Sequence, residues 1–540
     1  MIREWIDEAA ARYGDAPYLV GATTREDVAL EDAGLEDAAG SRTLTYAGLR
    51  RSTAAWAQCL DRAGVPAGAS VAVRMTDPLG YATALVSILG ADRVVIPLDP
   101  AAPAAEVARV LAVARPQVAV GDPGRGLPPG LPVLRPPRVP DAVDALDAAD
   151  AADAADALDA PGGGSGEAPV PAGSAATGGI FLCTSGTTGT PKGILLREDQ
   201  LAHVAAAVAR HHRLTSADRG YCCLPLFHVN AEVVGLLATL AARACLVLDR
   251  KFSRRGFWAL IERQRITWIN AVPAIIAVLA MDPSAGRAPG RVRFIRSASA
   301  PLPAATLRRF EAAFGIPVIE TYGMTEAASM ITANPVDGPR KAGSAGRPAG
   351  TEVRVAERAG SGYVPCQAGT MGRVQIRGRG VIGQYAAGGP GGAIDPDGWL
   401  DTGDLGHLDQ DGYLFLAGRS DDVINRGGEK IYPREIEDFL LAQPGVWSAA
   451  VVAAHDEVLG ERPVAYVVPA GPWRPHEMAE ALREACEAAL PRPKQPTAFC
   501  LVQELPLGPT GKVARHRLRA LGATPGATPL TREHVASASG

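Results

Sequence analysis

The sequence lacks the excess of positive charge that a general nucleic-acid-binding protein needs. Its 540 residues carry 54 Lys and Arg against 58 Asp and Glu, for a formal net charge of −4. No overall basic field is therefore available to neutralise the phosphates of a nucleic acid. The charge balance excludes a general nucleic-acid binder and leaves room for a local anion site.

Metal-binding cysteine patterns are absent as well. None of the eight cysteines forms a CxxC pair, and the adjacent Cys222 and Cys223 lack metal-ligand spacing. In a chain of this length we expect free thiols that act as small apolar residues in a reducing cytoplasm.

Long apolar segments are missing too. The longest, near Val233, extends only from Glu232 to Arg243 and is too short to span a bilayer. The first residues, MIREWIDEAA, are charged and lack the apolar core of a signal peptide. We therefore expect a cytoplasmic protein with no membrane partner.

What the chain does contain is an alternation of helical and strand-like segments. Helical stretches such as YAGLRRSTAAWAQCLDRAG precede apolar stretches such as SVAVRM within residues 44–160, and the alternation returns up to residue 335. This spacing predicts βαβ units in a mostly parallel sheet, and so an α/β fold. A more β-like stretch follows at 350–419, and an α+β unit of about a hundred residues comes after a charged junction.

Residues 139–178 interrupt the alternation. An Asp falls at every third position from Asp141 to Asp159, a period that builds no single apolar face on a helix. A stretch rich in Gly, Pro and Ser follows it. We interpret 139–178 as a flexible surface insertion.

The segment TSGTTGTPKG, residues 184–193, places glycines and hydroxyl groups around one lysine. Glycines let successive backbone N–H groups converge on an anion, and Lys192 adds a positive charge. It is not a Walker A loop, because Pro191 precedes the lysine and Gly193 follows it. The segment predicts a phosphate-binding loop of another kind, and a plain surface loop is the less favoured interpretation.

This segment resembles the phosphate loop of the adenylate-forming superfamily, which includes acyl-CoA synthetases, adenylation domains of peptide synthetases and luciferases. Further stretches resemble the later motifs of that superfamily, in its order: PLFHVNAE (225–232), SASAPLP (297–303), ETYGMTEAA (320–328), WLDTGDLG (399–406), the junction at 412–437 and LPLGPTGKVAR (505–515). PLFHVNAE, and RGGEKIYPREIE within the junction, are more similar to the acyl-CoA synthetase branch than to the amino-acid-activating branch.

The resemblance implies a two-domain architecture. A large N-terminal domain, 1–420, would contain βαβ-rich sheets and a β-barrel-like subdomain. A small mobile α+β domain would follow at 421–525, with a tail at 526–540.

The resemblance also implies a site for ATP and AMP. The matching residues are Thr184, Ser185, Gly186, Thr187, Thr188, Gly189, Lys192, Ser299, Ala300, Pro301, Glu320, Thr321, Tyr322, Gly323, Thr325, Asp404 and Arg419. Within this set Tyr322 would stack on the adenine and Thr325 would bind phosphate. Asp404 and Arg419 would hold the ribose hydroxyls.

Three residues are implied in catalysis: Lys512, His228 and Glu326. Lys512 would bridge the carboxylate oxygen and the α-phosphate, and His228 would form a gate beside the carboxylate. Glu326 and Thr188 would hold Mg²⁺, for which carboxylate oxygen is a suitable ligand. Outside the family context the three would be a surface lysine, a half-buried histidine and a solvated carboxylate.

The junction motif implies a moving domain. Asp421 matches the hinge, and Gly427 and Gly428 match the loop that lies along the pantetheine of CoA. Since Lys512 belongs to the same small domain, it cannot face one active site together with that loop. Rotation about Asp421 is therefore implied.

The acyl substrate is not identified by the sequence. The acyl pocket is expected near Val229, Asn230, Val272 and Ala298, which are small or apolar apart from the asparagine. No Arg or Lys stands out as placed to bind a second carboxylate, which disfavours a dicarboxylic acid.

The predicted function is ATP-dependent activation of a carboxylic acid to an acyl-adenylate, with release of pyrophosphate, followed by transfer to CoA. ATP, Mg²⁺ and CoA are the predicted cofactors and co-substrates, and a monomer or homodimer is expected. One alternative is a freestanding adenylation enzyme that passes the acyl group to a carrier protein or an amine. A non-catalytic nucleotide-binding relative is disfavoured by the intact Lys192, Glu326 and Lys512.

Overall fold

The structure is a computed structural model that describes residues 1–22, 42–121, 127–128, 130–137, 178–184, 192–281, 288–360, 362–389, 393–471, 474–507 and 512–521. The insertion predicted at 139–178 lies outside these residues except for Gly178. The predicted tail at 526–540 lies outside them entirely.

Side chains cap some of the helices in the first part of the chain. The helices are α1 (Ile2–Tyr13), α2 (Tyr46–Arg62), α3 (Pro78–Gly90), α4 (Ala104–Ala114), α5 (Glu198–His211), α6 (Ala238–Ala242), α7 (Phe257–Arg263), α8 (Pro273–Met281) and α9 (Ala304–Phe314). The Thr45 side chain accepts a hydrogen bond from the Gly48 amide at the start of α2, and Asp77 does the same at the start of α3. A π-helix, Asn230–Leu237, leads directly into α6.

Strands alternate with these helices. They are β1 (Pro17–Gly21), β2 (Thr43–Thr45), β3 (Ser70–Arg74), β4 (Val94–Pro97), β5 (Val118–Gly121), β6 (Val133–Leu134), β7 (Gly179–Thr184), β8 (Lys192–Arg197), β9 (Arg219–Cys222), β10 (Cys245–Leu248), β11 (Trp268–Ala271), β12 (Phe294–Ser297), β13 (Val318–Met324), β14 (Ser329–Ala333), β15 (Arg347–Pro348), β16 (Glu352–Ala359), β17 (Gly362–Pro365), β18 (Gly372–Arg377), β19 (Leu400–Leu408) and β20 (Leu414–Arg419).

Two sheets carry the predicted βαβ units. The larger has the order β15-β14-β13-β12-β11-β9-β10-β1-β2, and the smaller has the order β6-β5-β3-β4-β7-β8. Strands β10, β9, β11, β12 and β13 run parallel, as do β5, β3, β4 and β7. The predicted α/β fold is confirmed. Because carboxyl ends of parallel strands meet at one sheet edge, the segments after β9, β11 and β12 come together there.

One large apolar core packs the helices against these two sheets. It contains Ile2, Trp56, Leu85, Leu240 and Phe294, all of them buried. Among the described residues, no helix is both long and apolar enough to span a bilayer.

A third sheet is antiparallel, with the order β17-β16-β18-β19-β20. Val355, Val374 and Leu414 pack on its inner side. This sheet occupies the stretch in which the β-rich subdomain was expected, and its pairing places Asp404 opposite Arg419.

The remaining elements form a small α+β unit. They are β21 (Ile424–Arg426), β22 (Glu429–Ile431), α10 (Pro433–Leu441), β23 (Val446–Asp456), β24 (Gly460–Pro469), α11 (Pro475–Ala489), β25 (Ala498–Leu501) and α12 (Arg515–Ala520). Successive residues of a strand face opposite sides of the sheet. Val451 accordingly packs in one apolar cluster with Ile436, while Ala450 packs in another with Leu518. Cores of its own are what a separate domain needs.

Candidate active site

The ends of the predicted phosphate loop are held by a hairpin. Strands β7 and β8 pair antiparallel, with Thr184 opposite Lys192. The loop residues Ser185, Gly186, Thr187, Thr188 and Gly189 lie outside the described residues.

A tyrosine that the sequence did not single out lies between this hairpin and Glu326. The Lys192 Nζ lies 5.8 Å from the centroid of the Tyr385 ring. The Tyr385 hydroxyl donates a hydrogen bond to Glu326 Oε1 at 3.0 Å. Burial, and then Glu326, raise the pKa of Tyr385, so that the hydroxyl keeps its proton and acts as a donor.

Backbone hydrogen bonds fix the segment that carries Tyr385. The Ile382 amide donates to the Glu326 carbonyl at 2.9 Å, and the Gly193 amide donates to the Ala387 carbonyl at 2.8 Å. Gly193 has no space for a side chain, because a Cβ there would lie 2.7 Å from Cζ of Phe181. The hairpin and the Glu326 segment are thus joined through 382–387.

Glu326 suits a magnesium ion that is shared with phosphates. It lies in a 3₁₀ turn, Thr325–Ala327, directly after β13, and its side chain is buried, with 8% exposed. No group of three or more metal-binding side chains occurs among the described residues. A single hard carboxylate oxygen fits Mg²⁺, which is commonly bound by one or two carboxylates together with substrate phosphates.

The predicted ribose residues contact one another. The Tyr322 hydroxyl donates to Asp404 Oδ2 at 2.5 Å, and Arg419 Nη1 lies 3.4 Å from Asp404 Oδ1. Arg419 also donates to the Thr402 carbonyl at 2.7 Å. Burial raises the pKa of Tyr322 well above its usual value, and Asp404 adds to this effect. Asp404 can therefore accept from further hydroxyls while the tyrosine and arginine orient it.

The residues around Tyr322 are tightly placed. A Cβ on Gly323 would lie 1.5 Å from the Ser329 carbonyl oxygen, so only glycine fits there. The Thr321 hydroxyl donates to the Ser297 carbonyl at 3.2 Å, which ties 320–328 to the neighbouring segment. Burial raises the pKa of Glu320 to about 7, and Arg434 of the small domain opposes that rise.

The predicted adenine and acyl segments lie at the carboxyl ends of β9, β11 and β12. Ser299 has a positive φ of 74° and is exposed, as is Pro301, while Ala300 is half-buried. Asn230 Nδ2 donates to Ser299 Oγ at 3.4 Å. The structure therefore brings Asn230, at the start of the π-helix, to the segment after β12.

The other predicted pocket residues also follow these strands in the sequence. Ala298 is buried, whereas Val229 and Val272 are half-buried and pack against the core. His228 is also half-buried, and its ring centroid lies 4.5 Å from that of Phe227.

Arg296 was missed by the sequence reasoning. Its Nη1 donates to Asn230 Oδ1 at 2.7 Å and to Asn270 Oδ1 at 3.1 Å. The sequence had singled out no Arg or Lys for a second carboxylate, yet this arginine contacts Asn230, one of the residues expected to line the acyl pocket. The arginine is hidden in the apolar pattern of β12, and periodicity does not show that its side chain turns towards Asn230.

The predicted catalytic lysine of the small domain makes no polar contact within the part of the chain that the structure describes. Lys512 is exposed and forms no hydrogen bond or ion pair with another described residue. Gly427 and Gly428, with φ values of 60° and 90°, form the exposed turn between β21 and β22. Instead Arg434 of α10 meets the large domain, where its Nη1 donates to the Leu416 carbonyl at 2.9 Å.

Asp421, the predicted hinge residue, is exposed in a 3₁₀ turn, Ser420–Asp422. Its neighbour Asp422 forms ion pairs with Arg519 at 2.6 Å and with Arg515 at 3.3 Å. Asp422 is thus tied to α12 of the small domain, directly after the predicted pivot.

Known proteins are similar to this chain in fold and in sequence. Residues 6–386 match the family described as "AMP-binding enzyme", and residues 435–512 match "AMP-binding enzyme C-terminal domain". A solved structure of o-succinylbenzoate CoA synthetase from Bacillus subtilis, in complex with ATP and a magnesium ion, is similar with a TM-score of 0.75. It is 25% identical, over 95% of this chain and 98% of that one.

Two curated relatives are similar over part of their length. Sulfoacetate–CoA ligase of Cupriavidus necator is 45% identical over 354 residues, which is 65% of this chain and 68% of the relative. Oxalate–CoA ligase of Arabidopsis thaliana is 37% identical over 346 residues, which is 63% of this chain and 66% of the relative. As its motifs predicted, the chain belongs to the family of AMP-binding enzymes, the adenylate-forming enzymes.

Proposed function

We infer that this protein is an AMP-forming acid–thiol ligase, which activates a carboxylic acid with ATP and transfers the acyl group to CoA. The relatives compared above are named as CoA ligases, and the predicted class of reaction is confirmed. The predicted ATP, Mg²⁺ and CoA agree with the complex of the similar Bacillus subtilis synthetase and with the names of these relatives.

The observation that carries the residue-level proposal is the chain of contacts from Lys192 through Tyr385 to Glu326. It links the base of the phosphate hairpin to the carboxylate that would hold Mg²⁺. Tyr322 lies four residues before Glu326 on the same segment and contacts Asp404. A nucleotide with its ribose at Asp404 would therefore direct its phosphates towards Glu326 and Lys192.

This arrangement suits attack of a carboxylate on the α-phosphorus. Both reactants are anions, so catalysis consists mainly of neutralising charge and of positioning the two groups. Mg²⁺, when bound, would neutralise charge on the polyphosphate. Lys192 adds a fixed cation at the hairpin, and Tyr385 holds the Glu326 carboxylate in place.

Lys512 is proposed to act in the first step, adenylation, and the turn at Gly427 and Gly428 in the second step, thioester formation. Lys512 would supply the cation between the substrate carboxylate and the α-phosphate, and the glycine turn would border pantetheine in the second step. Rotation at Asp421 would exchange them. Lys512 is exposed and has no polar partner in the part of the chain that the structure describes, and Asp422 is ion-paired with α12; both observations support a pivot that moves the small domain as one body.

A short acid is the proposed substrate. Oxalate and sulfoacetate, named for the two relatives, are both two-carbon acids. CoA is the proposed acceptor, and loading of a carrier protein is the alternative.

We also propose a cytoplasmic location and a monomer or homodimer. All eight cysteines are free thiols, which supports a reducing compartment.

Pyrophosphate release from a panel of short acids, measured with and without CoA, tests the proposal. We expect release with at least one acid, and formation of an acyl-CoA only when CoA is present. Binding of ATP without release of pyrophosphate from any acid would contradict it and would favour a non-catalytic nucleotide-binding protein.

A further inference from the structure

Arg296 is a buried cation with no acidic partner among the described residues. Only 2% of its surface is exposed, and its Nε has no hydrogen-bond partner there. The two groups that accept from its Nη1, Asn230 and Asn270, are neutral amides. Burying a charge without a counter-charge is strongly destabilising, so a structural role alone does not account for this arginine.

The groups around Arg296 supply no negative charge. Burial raises the pKa of the Cys222 thiol to about 11, so this thiol is protonated at neutral pH. Burial, and then Arg296, lower the pKa of His211 and His212, so both rings are neutral. Burial lowers the pKa of Arg296 itself only to about 9, which leaves its guanidinium charged.

Glu232, two residues after Asn230 in the π-helix, is not the missing partner. It is fully buried, and neither carboxyl oxygen has a hydrogen-bond partner among the described residues. Burial raises the pKa of Glu232 well above its usual value, so the group is held neutral.

Asn230 connects this arginine to the acyl pocket. Its Oδ1 accepts from Arg296, and its Nδ2 donates to Ser299 Oγ at 3.4 Å. Ser299 lies in the left-handed backbone region, with φ of 74°, on the segment that follows β12. An acid that enters the pocket at Ser299 is therefore separated from the guanidinium by a single amide side chain.

We propose that Arg296, with Asn230 and Asn270, binds a second anionic group of the substrate at the end of the acyl pocket. The substrate class is then a short acid with a carboxylate or sulfonate opposite the reacting carboxylate. A guanidinium is suited to this task, since its planar set of donors matches an oxyanion group. The inference rests on the proposed function, for which it names the substrate class.

The test measures kcat/KM for pyrophosphate release with oxalate, malonate and sulfoacetate against acetate and propionate. We expect the wild-type protein to prefer the acids with a second anionic group. In Arg296→Gln the preference should fall at least about 30-fold, because the second anion loses its charged partner. Arg296→Lys, which keeps the charge and loses the planar donors, should retain part of the preference.

Arg293→Gln is the matched control. Arg293 directly precedes β12, is 35% exposed and pairs with Asp218 at 2.9 Å. Its loss should leave the ratio between the two groups of acids unchanged. Thermal unfolding of each variant, with and without sulfoacetate, adds a readout that does not need turnover, and sulfoacetate should stabilise the wild type but not Arg296→Gln.

Two outcomes overturn the inference. An unchanged preference in Arg296→Gln would do so, as would a wild-type protein that activates acetate and propionate as well as the other acids. In the second case the proposed ligase function would stand. Absence of pyrophosphate release from every acid would overturn the proposed function, and absence of stabilisation by sulfoacetate in the same protein would remove the proposed anion site.

Discussion

Tyr322, Asp404 and Arg419 of the large domain already contact one another, whereas Lys512 of the small domain forms no polar contact with any described residue. All three residues of the first group lie on strands of the large domain. The lysine is exposed and belongs to a small unit with its own cores. If the proposed roles hold, the difference means that the ribose residues are positioned within one domain, whereas Lys512 would have to be brought to them.

The largest effect is expected from Lys512→Ala. Pyrophosphate release should fall by about 10²–10³-fold, since a donor to the charge that develops in the transition state is lost. Binding of AMP, measured by calorimetry, should be unchanged, because the residues proposed to hold the ribose all belong to the large domain. Formation of acyl-CoA from supplied acyl-adenylate should also be retained.

Lys494→Ala is the control for this variant, since Lys494 is on the small domain and pairs with Glu435 at 2.7 Å. It should leave both half-reactions intact. If Lys512→Ala lost AMP binding and pyrophosphate release equally, Lys512 would contribute to nucleotide binding as well as to the chemical step, which would contradict this prediction.

A smaller effect is expected from Tyr385→Phe, which tests the assembled region. Loss of the hydrogen bond to the Glu326 carboxylate should weaken the site for Mg²⁺ and ATP by roughly 10-fold, or about 1.5 kcal/mol. The KM for ATP at several magnesium concentrations measures this. Tyr363→Phe removes a hydroxyl that donates to Asp401 at 3.4 Å in the antiparallel sheet, and should leave that KM unchanged. If the KM for ATP rose equally in Tyr385→Phe and Tyr363→Phe, this would argue against a role for Tyr385 in the site.

For Glu320 the expected effect is a change of stability with pH. Burial raises the pKa of its carboxyl from 4.5 to about 7; Asp438 of the small domain adds to this rise, and Arg434 opposes it. The folded protein holds this proton more tightly than the unfolded chain does. Stability therefore falls as the pH rises from about 4.5 to 7 and then levels off.

Glu320→Gln removes this pH dependence. At pH 8 the variant should be more stable than the wild type by up to about 3 kcal/mol, with much less difference at pH 5. Urea unfolding at the two pH values measures the difference. If Glu320→Gln were destabilised equally at pH 5 and pH 8, the Glu320 carboxylate would be charged and paired in the folded protein rather than neutral.

Much of the fold follows from local patterns in the sequence. Apolar strands such as β10, with every residue buried, alternate with helices that begin at Thr45 or Asp77, and these signals act within a few residues. The order of the motifs likewise predicted Asp404 and Arg419, which the structure then placed opposite each other. Short-range signals of this kind are visible in a sequence without any structure.

The residues that escaped prediction depend on contacts between distant segments. Tyr385 follows a glycine-rich stretch and reaches Glu326 only because 382–387 pairs with Gly193. Arg296 sits in a strand where an apolar residue is expected, and only the position of the π-helix brings Asn230 to it. Neither contact can be predicted from hydrophobic periodicity, because each joins residues that are far apart in the sequence.

The burial of Cys222 has a consequence for the fate of the activated acid. An acyl-adenylate is a mixed anhydride that acylates thiolates, and a thiol of the protein near the pocket would compete with CoA. Asn270 lies 3.9 Å from the Cys222 sulfur, and burial raises the pKa of this thiol to about 11. Because the thiolate and not the thiol is the nucleophile, this cysteine is protected from self-acylation. The Cys222 thiol would therefore not compete with the incoming acceptor for the activated acid.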